Sequence, residues 1–219
     1  MTILPDDPLG SGGIAVFAEA LRAGKTSAKK AVRAYLDRID ALEPKLNAYQ
    51  FVAYEQAEEA AEAIDKLLAS GIDLGPLMGV PIAIKDIYAV ENMPTTNGSL
   101  YDASEITGPE GRYVTALKQS GCIILGKTKT VEYALGATGV NEARGTPWNP
   151  WDLSTHRIPG GSSSGSAASV ASLMAPLSIG SQTGGSIIRP ASYCGVVGYK
   201  PSYGLISRNG VLRTSYTLD

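Results

Sequence analysis

Between Arg157 and Arg189 lie 31 consecutive positions without one Asp, Glu, Lys or Arg. Glycine and serine fill 15 of the 28 positions from Pro159 to Ser186. A flexible Gly/Ser linker would have this composition. Two features inside the stretch argue for burial instead. Ala167, Ala168, Val170, Ala171, Leu173 and Met174 make a helix of small residues, and Pro176-Leu-Ser-Ile179 reads as a short strand. Small side chains let backbones approach closely, and buried hydroxyls need partners. The stretch is therefore expected to be packed core with hydroxyls inside it.

The rest of the chain supplies layers to pack against it. Residues 13–23 have a helical pattern with Gly24 as a stop. Thr26 or Ser27 is placed to cap a second helix carrying Val32, Leu36, Ile39 and Leu42 at i+3 and i+4 spacing, which Pro44 is expected to end. Leu46–Val52 reads as a short strand. A third helix over 53–70 sets Ala57, Ala60, Ile64 and Leu67 on one face. Its acids (Glu55, Glu58, Glu59, Glu62, Asp65) read as a solvated face. Val80–Asp86 is apolar on both alternating faces until it reaches Lys85 and Asp86, which suits a strand covered on both sides. Residues 110–120 look helical, and Cys122–Leu125 is another buried strand. The alternation gives an α/β layered fold, and 219 residues suffice for a core without disulfides or structural metal.

Composition excludes several function classes. Nineteen basic against 21 acidic residues leave no basic footprint for nucleic acid. Two cysteines, Cys122 and Cys194, fit a reducing compartment better than a disulfide scaffold. The stretch Met1–Pro8 lacks the basic and apolar regions of a signal peptide, and no run is long and apolar enough to span a bilayer. The expectation is a soluble cytoplasmic protein without membrane contact. His156 is the only histidine, which removes the commonest acid–base and zinc chemistry. No metal-ligand cluster or cofactor motif stands out.

Two pattern matches fail on context. Gly121–Thr128 fits G-x-x-x-x-G-K-[ST], yet the four intervening residues are Cys, Ile, Ile and Leu. They look like strand, whose N–H groups are committed to a sheet and cannot cradle phosphate. Gly161-Ser-Ser163-Ser-Gly165 fits G-x-S-x-G, but a loop precedes it and His156 lies upstream, so the chain order of that nucleophile elbow fails. His156 reads as a loop residue and Cys194 as a small packed hydrophobe.

One constellation survives. Gly184-Gly185-Ser186 follows Ser181-Gln182-Thr183 directly after a strand, and successive N–H groups on such a turn can hold an oxyanion. A serine at its end is a candidate nucleophile that needs a base. With histidine effectively absent, a lysine made neutral by desolvation is the remaining option. Lys85 is the best candidate. Its other reading is a strand-end lysine that reaches solvent.

The segments Gly79-Val-Pro-Ile-Ala-Ile-Lys85-Asp86, Pro159-Gly-Gly-Ser162-Ser-Ser-Gly-Ser166 and Gly180-Ser-Gln-Thr-Gly-Gly-Ser186-Ile-Ile-Arg-Pro190, in this order, resemble the amidase signature family. Asn149-Pro-Trp-Asp152 and Cys194-Gly-Val-Val-Gly-Tyr-Lys-Pro201 are supporting matches. The resemblance implies a mixed central β-sheet covered by helices on both faces. Residues 1–219 would form the N-terminal part of one such domain, with a helical layer over 1–70 and a catalytic sheet core over 71–219. It also implies a Ser–cis-Ser–Lys triad. Ser186 resembles the nucleophile, Ser162 the bridging serine after a cis bond from Gly161, and Lys85 the base. Thr183, Gly184, Gly185 and Ser186 would form the oxyanion hole, with Ser163 in support.

Two departures qualify the match. Many members carry Asp where this chain has Gln182, and members are about twice as long. The second departure predicts a sheet incomplete on its C-terminal side, with exposed apolar surface. Arg189 is placed to bind a substrate carboxylate, although pairing with an internal acid is the preferred expectation. The implied activity is hydrolysis of a linear carboxamide. The alternatives are the glutaminase-type subunit of a tRNA-dependent amidotransferase and a truncated, unassembled remnant. Expected partners are a small-molecule amide and either a second copy or amidotransferase subunits, with no direct nucleic-acid contact and no cofactor.

Overall fold

Helix α1 (Gly13–Arg22) buries Phe17, Ala18 and Leu21, and Gly24 behind it has φ +66°, a left-handed turn that glycine adopts without strain. Ser27 caps helix α2 (Ala28–Leu46), its hydroxyl accepting the Lys30 N–H at 3.0 Å. The structure is a computed structural model. It describes residues 6–219, so the first five residues of the Met1–Pro8 stretch lie outside the described residues.

Pro44 does not end α2. The helix continues to Leu46, and left-handed Asn47 then donates its N–H to Glu43 O. Proline in a last turn removes a single helical hydrogen bond. The exit is held instead by the Glu43 carboxylate, which accepts the N–H groups of Ala48 and Tyr49 at 2.9 Å each. In helix α3 (Tyr54–Ala69), Glu58 and Glu62 do pair with Arg33 and Lys66 at the surface. Asp65 departs from the solvated face: it accepts the N–H groups of Ala28 and Lys29 and caps α2 from outside.

The sheet is mixed, in the order β1-β3-β2-β4. Strand β1 (Tyr49–Val52) runs antiparallel to β3 (Ile123–Thr128). Strand β2 (Pro81–Lys85) runs parallel both to β3 and to β4 (Ser178–Ile179). All five residues of β2 and all six of β3 are buried, so both faces of the central strands are covered. Helix α2 packs on β2 and β3, helix α3 packs on β3, and helix α6 (Ser164–Ala171) packs on β2, β3 and β4. The remaining elements are α4 (Ser104–Thr107), α5 (Arg112–Gln119), a 3₁₀ turn at Glu132–Ala134 and α7 (Ile188–Cys194).

The Gly121–Thr128 pattern is strand as its residues suggested. Gly126, Lys127 and Thr128 pair with Ala83, Ile84 and Lys85. No helix among the described residues is long and apolar enough to cross a membrane. On the other flank, β4 is a two-residue, half-buried edge. Beyond α7, Val197 is 96% exposed and Leu205 72%, which is the open apolar surface expected on the C-terminal side.

Candidate active site

Lys85 sits at the C-terminal end of β2 and is fully buried. It does not reach solvent. Its Nζ donates to Ser162 Oγ at 2.7 Å and to Ser181 Oγ at 2.9 Å. Burial pulls its proton affinity down from the ordinary 10.5 to about 7, and the Asp219 carboxylate works in the opposite direction. An amine poised near neutrality is what a general base requires.

Ser162 follows a cis Gly161–Ser162 peptide bond. Its carbonyl accepts the Val131 N–H at 3.2 Å, and Gly161 N–H donates to Ala137 O at 2.8 Å. The start of α6 is stapled to β3 and the residues that follow it. Gly165 N–H donates to Lys129 O at 3.0 Å, and a Cβ at Gly165 would lie 2.2 Å from Ala48 O, so only glycine permits this approach. Ser166 Oγ shares a hydrogen bond with Thr128 Oγ1 at 2.8 Å. The expected burial of the uncharged stretch holds from Pro159 to Ser169. Residues 178–189 are half-buried or exposed.

The Ser186 end is built differently. Ser163 ties it to α6: its N–H donates to Ser186 O at 3.2 Å, and its Oγ donates to Ser181 O at 3.1 Å. The Ser186 hydroxyl itself makes no hydrogen bond among the described residues, so a Ser162–Ser186 hydroxyl contact is not formed. The backbone N–H groups of Thr183, Gly184, Gly185 and Ser186 likewise have no acceptor among the described residues. Gln182 Oε1 accepts the N–H groups of Ile187 and Ile188 at 2.9 Å each and so serves the N-terminus of α7. The Arg189 guanidinium donates to Gly161 O at 3.2 Å. It pairs with no acid among the described residues, contrary to the preferred expectation, because the uncharged walls around it offer carbonyls instead.

Three contributions were not foreseen. Ser181 is the second acceptor for Lys85. It lay inside a recognised block, but nothing in its spacing distinguishes it from its neighbours. Asp219 Oδ1 accepts the Thr183 hydroxyl, while its Oδ2 accepts the N–H groups of Thr214 and Ser215 at 2.7 Å each. No local pattern signals that long-range contact. Asn149 Nδ2 donates to Tyr193 O at 2.9 Å and Trp151 Nε1 to Cys194 O at 2.7 Å, so the Asn-Pro-Trp block secures the end of α7. An open cavity of about 1010 Å³ adjoins the turn, and Tyr88, Ser163, Ser181, Gln182, Ile187 and Asp219 are among its lining residues.

The profile of the Amidase family matches residues 30–219. The chain belongs to this family. It is 48% identical over 203 residues to the A subunit of glutamyl-tRNA(Gln) amidotransferase from Acidothermus cellulolyticus, covering 93% of this chain and 40% of that protein. The protein of the same name from Thermobifida fusca is 45% identical, with 91% and 40% covered. Native peptide amidase from Stenotrophomonas maltophilia superposes with a TM-score of 0.87 at 35% identity, over 95% of this chain and 44% of that one. A 6-aminohexanoate cyclic dimer hydrolase superposes at 0.78 with 31% identity, over 90% and 39%. The chain thus spans about 40% of the length of the curated relatives it matches. Its four-stranded mixed sheet with helices is the corresponding part of the amidase fold.

Proposed function

We propose that this chain carries the acylation machinery of a cytoplasmic amidohydrolase acting on linear carboxamides, with Lys85, Ser162 and Ser186 as its triad. The observation that carries the reading is the 2.7 Å hydrogen bond between fully buried Lys85 and Ser162. Neutral Lys85 takes the Ser162 proton as Ser162 takes that of Ser186. Ser186 Oγ bonds to the amide carbon, and the carbonyl electron pair moves to oxygen. The unpartnered N–H groups of Thr183 to Ser186 receive that oxyanion. Collapse breaks the C–N bond, and the relay returns a proton to the departing nitrogen. Water then hydrolyses the ester by the same route. Closing the relay needs the Ser186 hydroxyl, on a half-exposed turn, to come within hydrogen-bond reach of Ser162. Ser163 and Gln182 hold that turn, and Arg189, free of any acid among the described residues, faces a substrate carboxylate.

The test is covalent labelling with a fluorophosphonate, read by intact mass. One adduct on the parent chain is expected, with none on Ser186→Ala and at least a hundredfold slower formation on Ser162→Ala and Lys85→Ala. An adduct that survives Ser186→Ala removes the nucleophile assignment. Absence of an adduct on the folded parent supports the unassembled-remnant reading.

The names of the relatives at 44–48% identity favour a second reading within the same chemistry: the ammonia-releasing subunit of a tRNA-dependent amidotransferase. Glutamine would then be the amide, and partner subunits would supply the tRNA contacts that this nearly neutral chain lacks. Ammonia release from glutamine only when such subunits are added separates this reading from a free-standing amidase.

A further inference from the structure

Lys127 is fully buried, as is Asp86, and the two form an ion pair at 3.1 Å. Lys127 Nζ also donates to Thr95 Oγ1 at 2.8 Å and to Pro94 O at 3.1 Å. The Asp86 carboxylate accepts the N–H of Thr96 at 3.2 Å and its hydroxyl as well. Asp86 N–H donates to Thr128 O at 2.9 Å, and Asp86 O accepts the Asn97 N–H at 3.0 Å. The pair therefore ties the end of β2 to β3 and to the loop over residues 94–97. It has no place in the proposed chemistry.

Its position relative to Lys85 is what matters. Lys85 is opposite Thr128 and Ile84 is opposite Lys127 in the β2–β3 ladder. Neighbouring residues on a strand point to opposite faces. Lys85 and Thr128 thus face α6, where Thr128 meets Ser166, while Lys127 lies on the far face with Asp86 beside it. One strand end carries a buried base on one side and a buried, mutually neutralised pair on the other. We infer that Asp86 and Lys127 are positioning residues that fix the end of β2 and, by cancelling each other's charge, keep the field at Lys85 neutral from behind the sheet. The functional meaning of the assignment, though not the charge cancellation itself, rests on Lys85 being the base.

The other charges around Lys85 are few. Asp219 approaches it from the C-terminal segment. Arg189 on α7 is bound to Gly161 O. Lys129, just beyond β3, is bound to Asn47 Oδ1 and Arg144 O and feels Glu43. Tyr88 donates its hydroxyl to Gly180 O at 2.8 Å, and burial pushes its ionisation well above the ordinary range. The helix α6 that packs over Lys85 contributes no charge. Unmasking one member of the far-face pair would therefore be felt at Lys85.

The experiment follows the ¹³Cε signal of Lys85 by NMR as pH is varied in the full chain, assigned through its absence in Lys85→Met. No turnover is required. Lys127→Gln leaves Asp86 unneutralised and is expected to raise the Lys85 midpoint. Asp86→Asn leaves Lys127 unneutralised and is expected to lower it. Each shift is expected to be on the order of one pH unit at most for a lone charge on the opposite face of the strand at an effective dielectric of about 20. The double variant is expected to return the midpoint to its parent value. A single variant that loses its fold while the double keeps it reads the same cancellation through stability. Unmoved midpoints, same-sign shifts, or unfolding of all three variants overturn the assignment. An unlabelled parent chain with these opposite shifts would reject the catalytic reading and leave the pair's role standing.

Discussion

The two ends of the proposed relay are built to different standards. The Lys85–Ser162 end is closed. Both side chains are fully buried, Lys85 has two hydroxyl acceptors, and Gly165 is pressed against the backbone beside β3. The Ser186 end is open. Its hydroxyl and the N–H groups of residues 183–186 lack partners among the described residues, and the flanking Gln182 and Ile187 line a cavity beside a two-residue edge strand. The difference assigns separate tasks. In the proposed mechanism the closed end sets the proton affinity of Lys85, which depends on excluding water. The open end must admit a carbonyl, so its donors stay unspent until one arrives.

The sharpest way to break this contrast is through pH. The Lys85 proton affinity is about 7 in the folded chain against 10.5 when free. Below pH 7 both folded and unfolded states hold the proton. Between 7 and 10.5 only the unfolded state does, so stability rises with pH across that window and levels off above it. The span is worth a few kcal/mol at about 1.4 kcal/mol per pH unit. Lys85→Met is expected to flatten this slope in urea titrations at pH 6 and pH 9, with its largest stabilisation at pH 6. In the parent, fluorophosphonate labelling should climb through pH 7 and then plateau. Equal slopes for parent and variant would mean that the closed end is wet.

A smaller effect probes the open end. Gln182→Ala removes the acceptor for two N–H groups at the start of α7. It should cost about 1 kcal/mol and slow labelling several-fold, without moving the pH midpoint. Gln182→Asp keeps an acceptor and adds a charge favourable at a helix N-terminus, so stability should recover. A midpoint shift with Gln182→Ala would show that the two ends are not independent.

Most of the closed end was legible in the sequence. The absence of charge from 158 to 188 signalled burial, the near-absence of histidine pointed to lysine as the candidate base, and Ser162 came only from the family resemblance. The strand that rejects a phosphate-loop reading of Gly121–Thr128 is visible in Cys-Ile-Ile-Leu. What escaped was set by tertiary geometry. Pro44 sits within α2 because only one helical hydrogen bond is lost there and the Glu43 carboxylate, itself in α2, holds the exit. Asp65 leaves the solvated acidic face because the N-terminus of α2 happens to lie above it. Arg189 found a carbonyl where an acid was expected, and Asp219 reaches Thr183 across 36 residues of sequence. Spacing rules describe neighbours along the chain, and these contacts are neighbours only after folding.

The smallest expected effect tests whether the open side is open in solution. Val197 and Leu205 are 96% and 72% exposed, so little of their burial energy is realised in this chain. Val197→Ser with Leu205→Ser should leave the stability in urea within about 0.5 kcal/mol of the parent, as for surface changes generally. It should also reduce binding of an apolar dye such as ANS, because contiguous exposed apolar surface is what the dye reports. The opposite pattern, a destabilised chain with little dye bound to the parent, would mean that this face is covered in solution. Sedimentation would then tell whether a second copy covers it: a heavier parent and a lighter variant would transfer the openness of the Ser186 end from the fold to the state of assembly.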